Sequence, residues 1–296
     1  MRPHDNDEVS FCICKFYVII VTGDLMKDIA KKSHTMYLLD KYQLQASKKF
    51  GQNFLIDLNT IKKIVETTHI DQSTCVIEIG PGIGALSEQL SYHAGHVVCY
   101  EIDTRLKDVL NESLGEFENI EIIFQDFLTV DLKKVVEKYK QDYQDVCIVA
   151  NLPYYITSDI LEHIISSGAQ LTSIHAMVQK EVAQKLTDTN YKSPLTLMIE
   201  SVGDISLDML VSKNVFSPAP RVDSAIISIR IHKPYEPLLT PILKASFTQK
   251  RKTIYNNLKG LFNEQTKTIL EECHIQENKR PEELMIEDYL NLTKYL

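Results

Sequence analysis

Six cysteines are present, yet no two form a Cys-x-x-Cys pair, and His93 and His96, the closest histidines, stand in no metal-ligand pattern. The sequence therefore offers neither a disulfide framework nor a metal site. Cys75, Cys99 and Cys147 lie in or beside apolar runs and read as buried thiols of a reducing cytoplasm. No apolar run is long enough for a bilayer. The stretch at 11–21 is broken by Lys15, and the acids Asp5, Asp7 and Glu8 before it are the opposite of a basic secretory start. Positive charge is also scarce: the net charge of -8 excludes a protein coated with lysine and arginine and confines any nucleic-acid contact to local patches. Internal repeats and low-complexity segments are absent too. What remains is a soluble globular chain of 296 residues, 44% apolar and 24% charged, long enough for one large domain and a smaller one.

Residues 1–25 read as an extension, disordered or translated from an upstream start, with Met26 as the natural beginning. A helix is expected over 35–42. The segment Ser47-Lys48-Lys49-Phe50-Gly51-Gln52-Asn53-Phe54-Leu55 sets two lysines, a glycine and two amides between aromatic rings. Such a segment suits either a loop capping the next helix, 58–68, or a lid over a ligand whose Lys48 and Lys49 meet RNA phosphate.

Four apolar runs, 75–79, 96–100, 120–124 and 146–150, then alternate with helical patterns at 85–92 and 132–145, which predicts a doubly wound parallel sheet. Each run ends in residues able to bind. Gly80-Pro81-Gly82-Ile83-Gly84 lets the backbone approach a ligand. Glu101-Ile102-Asp103 places an acid where ribose hydroxyls are received. Asp126 suits an adenine amine, a helix cap, or both at once. Asn151-Leu152-Pro153-Tyr154 ends the fourth run. A fifth strand is expected at 174–178, helices at 180–186 and 195–202, a sixth strand at 205–211, a proline-stiffened loop at 215–224, and a last strand at 225–231. Pro234, Pro237 and Pro241 mark a linker to a small helical domain that opens with Lys250-Arg251-Lys252.

S-adenosylmethionine fits this equipment better than a nicotinamide or flavin, because it carries no phosphate and needs glycine access, an acid and a polar group. Asn-x-Pro-Tyr then suggests the acceptor. The exocyclic amine of adenine is a weak nucleophile, its lone pair delocalised into the ring. The Asn151 oxygen and the Leu152 carbonyl, held outward by Pro153, can accept both amine hydrogens and favour the pyramidal nitrogen. Tyr154 can stack on one face of the base and Phe216 on the other, and the base must first leave its own stack.

The chain resembles the ribosomal RNA adenine dimethyltransferases of the KsgA type over nearly all of residues 26–296. The resemblance is carried by Phe50-Gly51-Gln52-Asn53-Phe54-Leu55, Glu78-Ile79-Gly80-Pro81-Gly82-Ile83-Gly84, Glu101-Ile102-Asp103, Asn151-Leu152-Pro153-Tyr154, Gln179-Lys180-Glu181-Val182, the loop at 216–224 and Arg251-Lys252-Thr253-Ile254. It implies an α/β fold: a Rossmann-like class I S-adenosylmethionine-dependent methyltransferase sheet over 26–234, then an all-helical RNA-contacting domain over 235–296. It implies cofactor contacts from Asn53, Leu55, Gly80, Gly82, Glu101, Asp126 and Asn151, and RNA contacts from Lys48, Lys49, Arg221, Lys250, Arg251 and Lys252. The implied substrate is a pair of adjacent adenines in the hairpin loop near the 3′ end of 16S ribosomal RNA, methylated in an immature 30S subunit by a cytoplasmic monomer. Two alternatives stand beside it. Macrolide-resistance methyltransferases of large-subunit RNA typically carry Asn-Ile-Pro-Tyr and Val-Asn-Ser where this chain has Leu152 and Val222-Asp223-Ser224. A non-catalytic ribosome assembly factor on the same fold is the other. One departure from the family pattern is Tyr191-Lys192-Ser193-Pro194-Leu195-Thr196, in place of Tyr-Gly-x-Leu-Ser.

Overall fold

The computed structural model describes residues 28–47 and 50–296. The expectations for residues 1–25, Met26, Lys48 and Lys49 lie outside the described residues. The chain enters as helix α1 (Lys32–Lys41), a two-residue strand β1 (Phe54–Leu55) and helix α2 (Leu58–Thr68). Asp57 caps α2: its carboxylate accepts from the Thr60 N–H at 2.7 Å, satisfying a donor that a helix start leaves free. Ile61, Ile64, Val65 and Thr68 recur at helical spacing and are buried. Strand and helix then alternate: β2 (Thr74–Ile79), α3 (Ala85–Ser91), β3 (His96–Glu101), α4 (Lys107–Leu114), β4 (Ile120–Phe124), α5 (Leu132–Tyr139), β5 (Asp145–Asn151), α6 (Thr157–Ser166) and β6 (Ser173–Gln179). There follow α7 (Lys180–Thr187), α8 (Pro194–Val202), β7 (Gly203–Val211), β8 (Phe216–Ser217) and β9 (Ser224–Ile231). Helices α9 (Leu239–Ser246), α10 (Ile254–Phe262), α11 (Thr266–Glu272) and α12 (Ile286–Leu292) complete the described course.

The seven-stranded sheet has the order β4-β3-β2-β5-β6-β9-β7. Strands β4 to β6 are mutually parallel, whereas β9 runs antiparallel to both neighbours. The four strands expected to be parallel are so, and the sheet as a whole is mixed because β9 is added antiparallel. Residues 212–223 between β7 and β9 hold only a short 3-10 turn and β8, with no crossover helix to return the chain in parallel. The helix expected at 132–145 stops at Tyr139. Residues 140–145 are polar apart from Tyr143, and the Gln144 N–H already donates to the Ser73 carbonyl at 3.0 Å as β5 joins β2. Pro241 belongs to the first turn of α9, not to a linker. Proline is tolerated there because its missing N–H would have had no helical partner. Helix α6 had no counterpart among the sequence expectations.

Side chains alternate across the sheet. Ile77 and Ile79 of β2, with Val146, Ile148 and Ala150 of β5, enter a core that continues through Ile160, Leu197, Leu243, Leu258 and Tyr289 into the C-terminal helices. Val76, Cys147 and Val149 face the other way, onto Val65 of α2 and Leu90 of α3. Full burial of each such side chain contributes about 1.5–3 kcal/mol. No helix among the described residues is long and apolar enough to cross a membrane. The strand order reverses between β2 and β5, and at that switch point the carboxyl ends of an open sheet leave a crevice.

Candidate active site

The crevice is a cleft of about 900 Å³ walled by the lid segment, the glycine turn, the end of β3 and the end of β5. Gly80 and Gly82 hold φ of +70° and +62°, a region that L side chains rarely adopt. The Gly80 N–H donates to the Tyr100 carbonyl at 2.9 Å, and a Cβ on Gly80 would meet nothing within 4 Å, so the backbone itself fronts the cleft. Behind the turn, a Cβ on Gly84 would lie 2.8 Å from the Leu114 side chain. That glycine serves packing.

Glu101 is 4% exposed and ties the turn to the acid loop. Its carboxylate accepts from the Gly82 N–H at 3.2 Å and from the Asp103 N–H at 2.8 Å. Burial pushes its carboxyl up to about 7. Glu78 on β2 also lines the cleft, and burial pushes it up to about 7. Two buried carboxyls near neutrality favour a ligand bringing hydroxyl donors or positive charge. Glu78 was absent from the sequence-derived site; an acid inside an otherwise apolar run was the available signal. Ile102, 46% exposed, offers an apolar flank on the same side.

The segment at 50–55, the candidate lid, is held at several points. Gln52 donates to the Asp103 carboxylate at 2.9 Å while its oxygen accepts from the Ser47 N–H at 2.8 Å. Arg105 grips the same Asp103 at 2.6 Å, and the hydrogen bonds from Arg105 and Gln52 hold that carboxyl below the usual range. The Phe54 ring packs 3.3 Å from where a Gly82 Cβ would be. Phe54 and Leu55 also pair with Ser217 and Phe216, joining β1 to β8.

On the far wall, the Asn151 amide nitrogen donates to the Asn53 carbonyl at 3.4 Å. A carbonyl only accepts, so with the amide nitrogen on this side Oδ1 points elsewhere. Among the described residues, no donor reaches Asn151 Oδ1 or the Leu152 carbonyl. Leu152 is buried and held by its own N–H, which donates to the Met177 carbonyl at 3.2 Å. Tyr154 lines the cleft half-buried, its hydroxyl 2.6 Å from the Ser224 hydroxyl. The cleft thus gathers Asn53, Leu55, Gly80, Gly82, Glu101, Asn151, Leu152, Pro153 and Tyr154.

Two expected residues lie elsewhere. Phe216 is 3% exposed, paired with Leu55 and packed with Leu38, Ile61 and Met177, so it supports the lid from behind and offers no face to a base. Asp126 caps the 3-10 turn after β4, accepting from the Leu128 N–H at 3.0 Å, and is not part of the cleft lining. Arg221, Lys250, Arg251 and Lys252 are exposed, away from the cleft lining. Thr253 and Ile254 anchor that basic turn: Thr253 caps α10 and Ile254 is fully buried.

The model of the ribosomal RNA adenine dimethylase family matches residues 43–296. A ribosomal RNA small subunit methyltransferase A of Oceanobacillus iheyensis is 40% identical over 277 residues, covering 89% of this chain and 94% of its own. A protein of the same name from Staphylococcus aureus is 40% identical over 283 residues, covering 90% and 95%. Among solved structures, the 23S rRNA methyltransferase ErmE is 28% identical with a TM-score of 0.59, over 82% of this chain and 99% of its own. A dimethyladenosine transferase from Plasmodium falciparum shares the fold at a TM-score of 0.65 and 24% identity, over 81% and 95%. With the family model spanning the sheet, the cleft and the C-terminal helices, the chain belongs to the ribosomal RNA adenine dimethylase family of methyltransferases.

Proposed function

We propose that this chain uses S-adenosylmethionine to methylate the N6 amines of two adjacent adenines in the hairpin loop near the 3′ end of 16S ribosomal RNA. It acts as a cytoplasmic monomer on an immature 30S subunit and yields N6,N6-dimethyladenines. The small-subunit assignment is supported by the names of the relatives at 40% identity. It is supported too by the basic Arg251-Lys252 turn that Thr253 and Ile254 anchor.

The cleft fits the cofactor. Glycine backbone without a Cβ leaves room beside Gly80, Glu101 offers a carboxylate for ribose hydroxyls, and Ile102 and Phe54 supply apolar flanks for a purine. Bound there, S-adenosylmethionine supplies an electrophilic methyl group on a sulfonium. The chain's own residues do the rest. Asn151 Oδ1 and the Leu152 carbonyl accept the two N6 hydrogens of a flipped-out adenine, drawing the nitrogen out of conjugation so that its lone pair is available. Tyr154, tethered through Ser224, presents a ring to one face of that base. In this reading Asp126 caps its own turn through one carboxylate oxygen and keeps the other for the adenine amine of the cofactor, and the second face of the base is covered by a residue other than Phe216.

The observation that carries the proposal is the pair of acceptors at the cleft wall, Asn151 Oδ1 and the Leu152 carbonyl, that no donor reaches among the described residues. Asn151→Ala is expected to lower methyl transfer to undermethylated small subunits by about 10²–10³-fold, the loss typical of one preorganised polar group. RNA affinity should stay within about twofold, since most of it comes from phosphate contacts. Unchanged turnover in that variant would remove the amide from the mechanism.

A further inference from the structure

A second concavity, of about 620 Å³, lies beyond the cleft where α7, the end of β7 and the loop before β9 meet. Three cations line it: Lys180, Lys213 and Arg221. Among the described residues, none of their side chains has an acidic partner. Glu181 in the same wall is taken by Lys185 at 2.7 Å, which leaves Asp223 as the facing carboxylate.

Asp223 brings two of the three cations together, and Arg221 lies two residues before it in the same loop. Its carbonyl accepts from the Lys180 N–H at 3.0 Å, and its carboxylate accepts from the Lys213 N–H at 3.0 Å. One register line organises the rest. Gln179 pairs with Ser224, which pairs in turn with Val211, so Lys180 and the Ser212-Lys213 turn leave the sheet on either side of β9. Their strands stand two spacings apart, about 10 Å, within the span of two lysine side chains and an arginine. Ser224, in the middle of that line, is the residue holding the Tyr154 hydroxyl at 2.6 Å. Gln184, one helical turn after Lys180, adds a neutral donor, and exposed Val222 adds an apolar edge.

We propose that Lys180, Lys213 and Arg221 form a subsite for a backbone phosphate of the RNA strand that delivers the target adenine to Tyr154. The inference rests on the function proposed above and adds a positioning site to it. S-adenosylmethionine carries no phosphate and has no use for this notch. A flipped nucleotide, by contrast, needs its backbone pinned close to the pocket that receives the base. On a chain of net charge -8, three cations without an acidic partner among the described residues, two of them tied by their backbone to Asp223, mark a local point of attraction for the strand.

The test uses the full chain carrying Lys213→Gln and Arg221→Gln together. S-adenosylhomocysteine affinity should be unchanged. KM for undermethylated small subunits should rise about tenfold, with kcat within about twofold. The slope of log(kcat/KM) against log salt should become shallower by about 0.7, the loss of one neutralised phosphate. The charge-keeping pair Lys213→Arg with Arg221→Lys should restore both values. Unchanged KM and salt slope in a double variant that still binds S-adenosylhomocysteine would overturn the subsite. Loss of S-adenosylhomocysteine binding would overturn it as well, by making the notch part of the cleft's scaffold. If the wild-type chain methylates no small-subunit RNA, the proposed function falls, and the salt slope of RNA binding by the same variants still judges the notch.

Discussion

With burial holding its carboxyl near pH 7, Glu101 is partly protonated in a neutral buffer, and it receives ribose hydroxyls best when ionised. S-adenosylhomocysteine should therefore bind more tightly as pH rises from 5.5 to 8. The gain should approach about tenfold per pH unit at the acid end and level off above pH 8. Glu101→Gln should bind weakly with a flat profile, and a flat profile in the wild type would rule Glu101 out of the ribose site. Stability of the free protein runs the opposite way. The folded-state pKa lies above the unfolded value, so the contribution of Glu101 is full below about 4.5 and is lost as pH climbs through about 7. Glu101 and Asn151 were legible in the sequence because each closes an apolar strand, where polarity is conspicuous. Phe216 was not. Its burial follows from a two-residue pairing with Leu55, more than a hundred and fifty positions away, and no local pattern announces such a contact.

The glycine turn shows one element meeting two demands. Gly84 holds φ of +94° with the buried Leu114 side chain 2.8 Å from its missing Cβ. Gly84→Ala should destabilise the fold by about 2–4 kcal/mol, combining backbone strain with overpacking, while leaving cofactor contacts in place. Gly80→Ala meets only the backbone penalty of about 1 kcal/mol, but its methyl enters the cleft, so S-adenosylhomocysteine affinity should fall about tenfold or more. Urea melts and calorimetric titration of both variants check the contrast, and equal effects on stability and affinity would erase it. Strands β2, β3, β5 and β6 were readable because buried parallel strands are largely apolar runs, and the half-buried edge strand β4 keeps four apolar residues of five. The insertion of β9 between β6 and β7 was not readable. Strand order depends on which edge the returning chain finds, and the short path at 212–223 decides it. The lid's moorings, Gln52 to Asp103 and Asn151 to Asn53, are likewise long-range and invisible to periodicity.

At the scale of the molecule, an acidic chain must meet an acidic polymer. The sequence confines that contact to local patches, and among the described residues two exposed basic segments are candidates: the Arg251-Lys252 turn beside α10, and the notch around Asp223. Between them the C-terminal helices share one core with the sheet, so the patches are set relative to the cleft by packing as well as by the chain path. A frame packed in this way suits the proposed folded RNA target, which in that reading reaches the basic turn and the base pocket together. The most direct measurement supplies methyl-labelled S-adenosylmethionine to the wild-type chain with small subunits lacking the modification, and in parallel with large subunits, then digests the RNA to nucleosides. Label in N6,N6-dimethyladenosine from the 3′-terminal hairpin of the small-subunit RNA is the expected result. Label confined to large-subunit adenines, or none in either RNA, would contradict it.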